Sequence, residues 1–276
     1  MFITYNYKTE GVGSQYIRII GLIAISKVHN HKYIHKQITV GHNYENDPDW
    51  NEKWDRFFNI KKLLDKNYNV SNLQIIQKTC IDFNDIYENN LNYIYSFTIP
   101  HNIIETNINF YYDSIKDNLI QAFKENNYIP KINYFDINKM NIAIHIRAFN
   151  DYDDAHEKNN YYNTFGRFDT DEQKYYNLIR IFQNLYPSAN IHIFSQKLLF
   201  DKYNKVTSMK NIHLHIDNDN FDTFYHFTIA DILVIAKSCF SYLAAIYNPN
   251  KILYVKSETP PLNSWVCIDE YIAVNK

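Results

Sequence analysis

Cysteine is scarce and poorly spaced for chemistry. Cys80, Cys239 and Cys267 are far apart, odd in number and without a C-x-x-C pair, which argues against a zinc or redox site and points to a reducing, cytoplasmic compartment. No run of about 18 apolar residues is present to span a membrane, and the start "MFITYNYK" shows no basic segment leading into an apolar one, as a secretion signal would. Neither sign of charge dominates: 28 Lys and Arg face 30 Asp and Glu, for a net charge of −2. Without a concentrated basic face there is no footprint for phosphate neutralisation, so nucleic acid is not an expected partner. The lone sequon Asn69-Val70-Ser71 reads as chance in a chain this rich in Asn.

Glycine is the scarcest of the turn formers, with five residues in 276, yet Gly11, Gly13 and Gly21 fall in one stretch, "EGVGSQYIRIIG". Glycines between a first strand and a first helix can take positive φ and bring the backbone close to a ligand at the helix start. The stretch is not a dinucleotide fingerprint, because position 16 is Tyr and the next strand, "KYIHKQ", ends basic rather than acidic. The expectation is that this loop lines a cleft near a substrate.

What is present suits a globular α/β protein, with 46% hydrophobic and 17% aromatic residues. "FITYNYK" reads as a strand, "SQYIRIIGLIAISKVH" as a buried helix and "KYIHKQITV" as a second strand. Asp47 with Pro48 reads as the N-cap and first residue of a helix carrying Trp50, Trp54, Phe57 and Phe58. Residues 60–135 are predicted to hold one or two helices, the clearest at 111–126, and an isolated strand. From 141 onward the pattern sharpens. "NIAIHIRAF", "NIHIFS", "NIHLHI", "DILVI" and "KILYV" read as strands separated by helical segments, one opened by a capping box at Thr170-Asp171-Glu172-Gln173 and closed before Pro187. Short apolar strands alternating with helices imply parallel sheets covered on both faces. The predicted architecture is two Rossmann-like domains, residues 1–135 and 136–276, with sheets facing an interdomain cleft.

Two further stretches carry candidate chemistry. In "IHIRAFND" the side chains of His145 and Arg147 alternate off the carboxyl end of a strand, where open parallel sheets bind ligands, and a guanidinium there suits a phosphate. In "ADILVIAKSCFSYLAA" Ser238 is placed to cap a helix with Ser241 in its first turn, so that two hydroxyls and uncapped N–H groups form an anion site. Blander readings are a strand-end ion pair of Arg147 with Asp151 or Asp153, and ordinary capping.

In order along the chain, these stretches resemble the GT-B fucosyltransferase superfamily that includes the α1,2-, α1,6- and protein O-fucosyltransferases. Its G-x-G-N/S-Q loop is matched by Gly11, Gly13, Ser14 and Gln15. Its H-x-R-R-x-D strand end is matched by His145 and Arg147, with Ala148 and Asn150 departing from it. F-S-D/E is matched by Phe194 and Ser195, with Gln196 in the acidic place, and the late block by Ala230, Asp231, Leu233, Val234, Ser238 and Ser241. The resemblance implies a GDP-sugar donor, fucose first, inversion at the anomeric carbon, and neither cofactor nor catalytic metal. It implies that Arg147 binds the β-phosphate with His145 in support, that Asp231, Ser238 and Ser241 hold the nucleotide, and that the acceptor is a glycan or protein hydroxyl. The acceptor's proton needs a general base; Glu10, His42, Asp47 and Asp49 are the candidates in the first half, with the choice open.

Rival readings are a metal site at Asp217-Asn218-Asp219 or at His29, His31 and His35, against solvated turn acids and scattered loop imidazoles. Trp50 and Trp54 could stack on a sugar or belong to the core. "NDYDDAHEKNN" reads as a lid or a plain polar connection, and "IHLHI" as a strand with one face to solvent or cleft. The departures at Ala148, Asn150 and Gln196 leave room for a glycan-binding protein that has lost transfer, or for another nucleotide-sugar donor.

Overall fold

The computed structural model describes residues 1–6, 10–37, 39, 47–64, 68–82, 84, 92–99, 101–147, 171–195, 204–257 and 259–275. Of the residues named above, His42, Ala148, Asn150, Thr170, Gln196 and the polar stretch after Asn150 lie outside the described residues. The chain divides into two compact units, Met1–Ile129 and Pro130–Lys276.

The first unit is built on a parallel sheet of four strands, β1 (Phe2–Tyr5), β2 (Lys32–Tyr33), β3 (Gln74–Cys80) and β4 (Tyr93–Ile99), in the order β2-β1-β4-β3. Helix α1 (Val12–Val28) follows β1 and is apolar on nearly every side because it is buried on nearly every side, from Tyr16 through Ile25. Gly11, at its N-cap, has φ −65° and ψ 156°, an ordinary extended conformation. The expected positive φ is therefore absent there. The glycine that packing requires is Gly21, where a Cβ would lie 2.1 Å from Ile104 Cδ1 of α3 (His101–Thr106).

Helix α2 spans Trp50–Phe58 and starts later than predicted: Asp49 is its N-cap, while the Asp47 carboxylate accepts from Asp49 N at 2.9 Å and forms a turn over Pro48. Trp54, Phe57 and Phe58 are core, with Trp54 and Phe58 stacked at 5.6 Å and Phe58 against Tyr16 at 4.3 Å. The predicted helix at 111–126 is two, α4 (Ile108–Asp113) and α5 (Lys116–Lys124). They break where the Ser114 hydroxyl donates to Tyr111 O at 2.6 Å and Ile115 buries. The single isolated strand expected in this region is two paired strands, β3 and β4.

The second unit has six parallel strands: β5 (Asn141–His145), β6 (Asn190–Ser195), β7 (Ile212–Ile216), β8 (Ile232–Ile235), β9 (Lys251–Tyr254) and β10 (Val266–Cys267), in the order β10-β9-β8-β5-β6-β7. Read from β7, that is the third, second, first, fourth, fifth and sixth strand of the unit, the doubly wound order with its reversal between β5 and β8. Helices α6 (Glu172–Leu185), α7 (Asn204–Thr207), α8 (Asn220–Ile229), α9 (Cys239–Tyr247) and α10 (Ile268–Val274) connect or follow the strands. One core joins Ile142, Ile144, Ile191, Ile193, Ile232 and Val234 of the sheet to Tyr175, Leu178 and Phe182 of α6 and Ile268 and Ile272 of α10. Burial of each such side chain is worth about 1.5–3 kcal/mol. The cap of α6 is Asp171, whose Oδ1 accepts from Lys174 N at 3.1 Å, and Glu172 reaches instead to Lys205 N at 2.8 Å. The Thr170 capping box is thus replaced by a cap one residue on. Among the described residues, no helix is long and apolar enough to cross a membrane.

Candidate functional site

The strand order of the second unit decides where to look. Doubly wound sheets bind ligands in the crevice outside the carboxyl ends of the strands at the reversal, which here falls between β5 and β8. Beyond β5 the chain stays extended: Ile146 N donates to Phe194 O at 3.0 Å, and the Ser195 hydroxyl donates to Ile146 O at 2.9 Å. These bonds set the direction of the next residue, Arg147. Beyond β8, Ser238 N turns back to Ala236 O at 2.8 Å, and Ser238 caps α9 with its Oγ accepting from Phe240 N at 3.3 Å. Arg147 Nη1 lies 3.4 Å from Ser238 Oγ. A guanidinium and the positive end of a helix therefore meet at the switch point, which is the electrostatic requirement of an anion site.

The other predicted residues of this unit take different places. His145 packs beside Phe227 (5.4 Å) and Phe240 (6.4 Å), and its Nδ1 is buried without a hydrogen-bond partner. Burial first, and then the charge of Arg147, push its pKa down to about 3, so the ring is neutral. Ser241 is fully buried with its hydroxyl on Ser238 O at 3.4 Å, so it supports the turn and is not presented to a ligand. Ser195, of the F-S-D/E match, donates its hydroxyl to Ile146 O.

Asp231 is the clear correction. It precedes β8, and its carboxylate accepts from Asn141 N at 2.7 Å at the amino end of β5. The length of β8, about 13 Å at about 3.3 Å per residue, separates it from Ser238. It ties the two central strands together at the edge away from the crevice. Asp219, of the acidic turn, caps α8 by accepting from Phe221 N at 2.8 Å and pairs with Lys131 Nζ at 2.6 Å.

In the first unit the carboxyl edge of the sheet carries a polar network that starts just past β1. Glu10 Oε2 receives the Ser14 hydroxyl at 2.5 Å and Arg18 Nη1 at 2.7 Å, and Arg18 Nη1 also reaches Tyr5 OH at 3.0 Å. Gln15 is buried and its amide donates to Glu10 O at 2.8 Å and Thr39 O at 2.7 Å, which binds the loop before α1 to the segment after β2. Gly13 lies buried inside α1. Asp47 is ion-paired with Lys53, and that bond holds its carboxyl below the usual range, which makes it a poor proton acceptor.

Sequence reasoning passed over Arg18 and the pair of His35 Nε2 with Asp55 Oδ2 (3.1 Å), where Asp55 Oδ1 also accepts from Tyr16 OH at 2.6 Å. The available signal was a charged residue within the apolar run of α1. His29 and His31 lie with rings 6.1 Å apart, His29 against Tyr111 OH. Among the described residues no group of three His, Cys, Asp or Glu side chains is arranged to hold a metal ion.

No protein-family model and no curated protein matches the chain. Solved structures do. An E. coli heptosyltransferase, WaaC, with ADP-2-deoxy-2-fluoro heptose is 10% identical, with 100% of each chain covered and a TM-score of 0.50. POFUT1 in complex with GDP-fucose is 11% identical over 93% of this chain and 98% of that one, with a TM-score of 0.49. At these identities the likeness is one of fold, and the fold is the GT-B type: two Rossmann-like units, each on a parallel sheet.

Proposed function

We propose that the chain is a glycosyltransferase that takes a nucleotide-diphosphate sugar as donor, with a GDP-sugar and fucose as the first assignment, and passes the sugar to a hydroxyl of a glycan or protein. The observation that carries this reading is the approach of Arg147 Nη1 to Ser238 Oγ at the start of α9, at the strand-order reversal of the second unit. The choice of fucose rests on the His145, Arg147, Ser238 and Ser241 matches in the sequence.

In this reading the bond from the anomeric carbon to the diphosphate oxygen breaks with its electron pair leaving on the diphosphate. Arg147 and the first N–H groups of α9 stabilise that charge where it develops, without metal or cofactor. The sugar, cation-like at that moment, is attacked from the opposite face, which inverts the anomeric centre. The acceptor's proton must pass to a general base; Glu10 is engaged by Ser14 and Arg18 and Asp47 by Lys53, and the role is assigned to neither. Cys80, Cys239 and Cys267 are thiols rather than disulfides, which suits a cytoplasmic setting.

A panel of nucleotide sugars assayed for nucleotide release, with and without EDTA, tests this. Release with a GDP-sugar, unaffected by EDTA, is the expected result. Sugar binding without release from any donor would instead support the glycan-binding reading that the departures at Ala148, Asn150 and Gln196 favour.

A further inference from the structure

Four of the eleven histidines crowd one face of the second unit: His192 on β6, His213 and His215 on β7, and His226 on α8. The ring of His192 stacks on His213 at 4.8 Å and on His215 at 5.2 Å. The hydrogen bonds indicate where the protons of His192 and His226 sit. Asn141 Nδ2 donates to Asp136 O (2.9 Å) and Lys139 O (2.8 Å), so its Oδ1 is the atom facing His192 Nε2 at 3.3 Å. His192 Nε2 therefore carries a proton, and its Nδ1 accepts from His215 Nε2 at 2.9 Å. A second proton on His192 would set N–H against N–H.

The same cluster receives the connector that leads into β5. Lys131 N and Ile132 N donate to the two carboxylate oxygens of Asp222, at 2.9 and 3.2 Å, and Tyr134 N donates to His226 Nε2 at 3.0 Å. His226 Nδ1 donates to Asp222 O at 2.6 Å, so this ring too is neutral in the bonded arrangement. Tyr134 lies on His215 (4.3 Å) and His226 (4.6 Å), and Phe135 on His192 (4.6 Å) and His226 (4.7 Å). The charged and titratable groups around these rings are Asp219 at the cap of α8, Asp222 and Tyr225 on α8, Lys131 and Tyr134 on the connector, and His213 on β7. A proton on His226 Nε2 would turn it from acceptor of Tyr134 N–H to donor toward Asn133 Oδ1, 3.4 Å away.

We propose that this cluster is an acid-sensitive clasp: neutral imidazoles hold residues 131–135 against α8 and β7, and protonation releases the connector while the β5–β6 core stays folded. Burial, with the neighbouring imidazoles, pushes His192 down to about 3 and His215 to about 4, and burial lowers His226 as well. Folded values lie below the free value of about 6.5, so the clasp contributes fully above that pH and weakens as pH falls below it.

Hydrogen exchange of the full chain, corrected for the intrinsic pH dependence, tests the clasp between pH 7.5 and 4.5. The amides of Lys131, Ile132 and Tyr134 are expected to exchange at least about tenfold faster at pH 5 than at pH 7.5, with the amides of β5 unchanged. His226→Gln, which keeps an acceptor but cannot titrate, should move that loss to lower pH, and His215→Gln serves if the first variant does not fold. Imidazole resonances titrating near the free value, pH-independent protection of the connector, or simultaneous opening of β5 would each overturn the proposal.

Discussion

Arg147 Nη1 and Ser238 Oγ are 91 positions apart in sequence and 3.4 Å apart in space. Neither is a rare residue in its local setting: one follows a strand, the other caps a helix. Their meeting depends on β5 and β8 being neighbours, which is set by the strand order of the second unit rather than by either segment alone. Removal of the guanidinium should cost about 10²- to 10³-fold in kcat/KM, the usual loss for one preorganised charge stabiliser. Arg147→Lys should recover only part of this, since an ammonium lacks the planar fork. Ser238→Ala removes a cap worth about 1 kcal/mol of stability, with a smaller loss of activity. Steady-state kinetics beside thermal melts separates the two effects, and an Arg147→Ala enzyme of near-normal activity would contradict the assignment.

Asp231 should behave in the opposite way. Its bond to Asn141 N lies at the amino ends of β5 and β8, so Asp231→Ala should lower stability by about 1–3 kcal/mol and leave the KM for donor unchanged. A donor KM raised severalfold without destabilisation would show that the residue does reach the ligand.

Cys239 gives a chemical footprint of the site. It is exposed and is the first residue of α9, next to Ser238, whereas the exposed Cys80 closes β3 in the other unit. A bound nucleoside diphosphate should slow alkylation of Cys239 several-fold and leave Cys80 unaffected, as measured by mass spectrometry of peptides. Equal rates with and without nucleotide would place the diphosphate elsewhere.

His145 should not shape the pH profile of activity. Burial and Arg147 hold its pKa down to about 3, so the ring is neutral from pH 5 to 8 and the acidic limb of kcat/KM belongs to other groups. Its depressed value bears on stability: the contribution is complete above the free value of about 6.5 and is lost as pH falls from there toward 3. His145→Asn should keep the shape of the activity profile and reduce the acid sensitivity of the melting temperature. A pH–rate profile whose acidic limb moves in this variant would assign the titration to His145.

The second unit was legible because its central strands are buried on both faces and therefore read as apolar runs, as in Ile142–Ile144 and Ile232–Ile235. In the first unit β3 exposes Gln74, Ile75 and Gln77 and shows no such run, so the pairing of β3 with β4 was missed. The break at Ser114 was hidden for a different reason, because a serine that bonds backward to Tyr111 O has the same sequence signature as one facing solvent. Asp231 was misplaced although its position was readable: a residue before a strand lies at the amino edge, and ligands gather at the other. Arg18 and Glu10 belong to a long-range network with Tyr5, which periodicity does not encode.

The central claim is that Arg147 and the start of α9 bind a diphosphate, and calorimetric titration with GDP and with guanosine tests it most directly. The native chain should bind GDP at least about tenfold more tightly than guanosine, a difference of about 1.4 kcal/mol or more, and Arg147→Ala should largely abolish that preference while its affinity for guanosine is retained. An Arg147→Ala chain that distinguishes GDP from guanosine as strongly as the native chain would contradict the account.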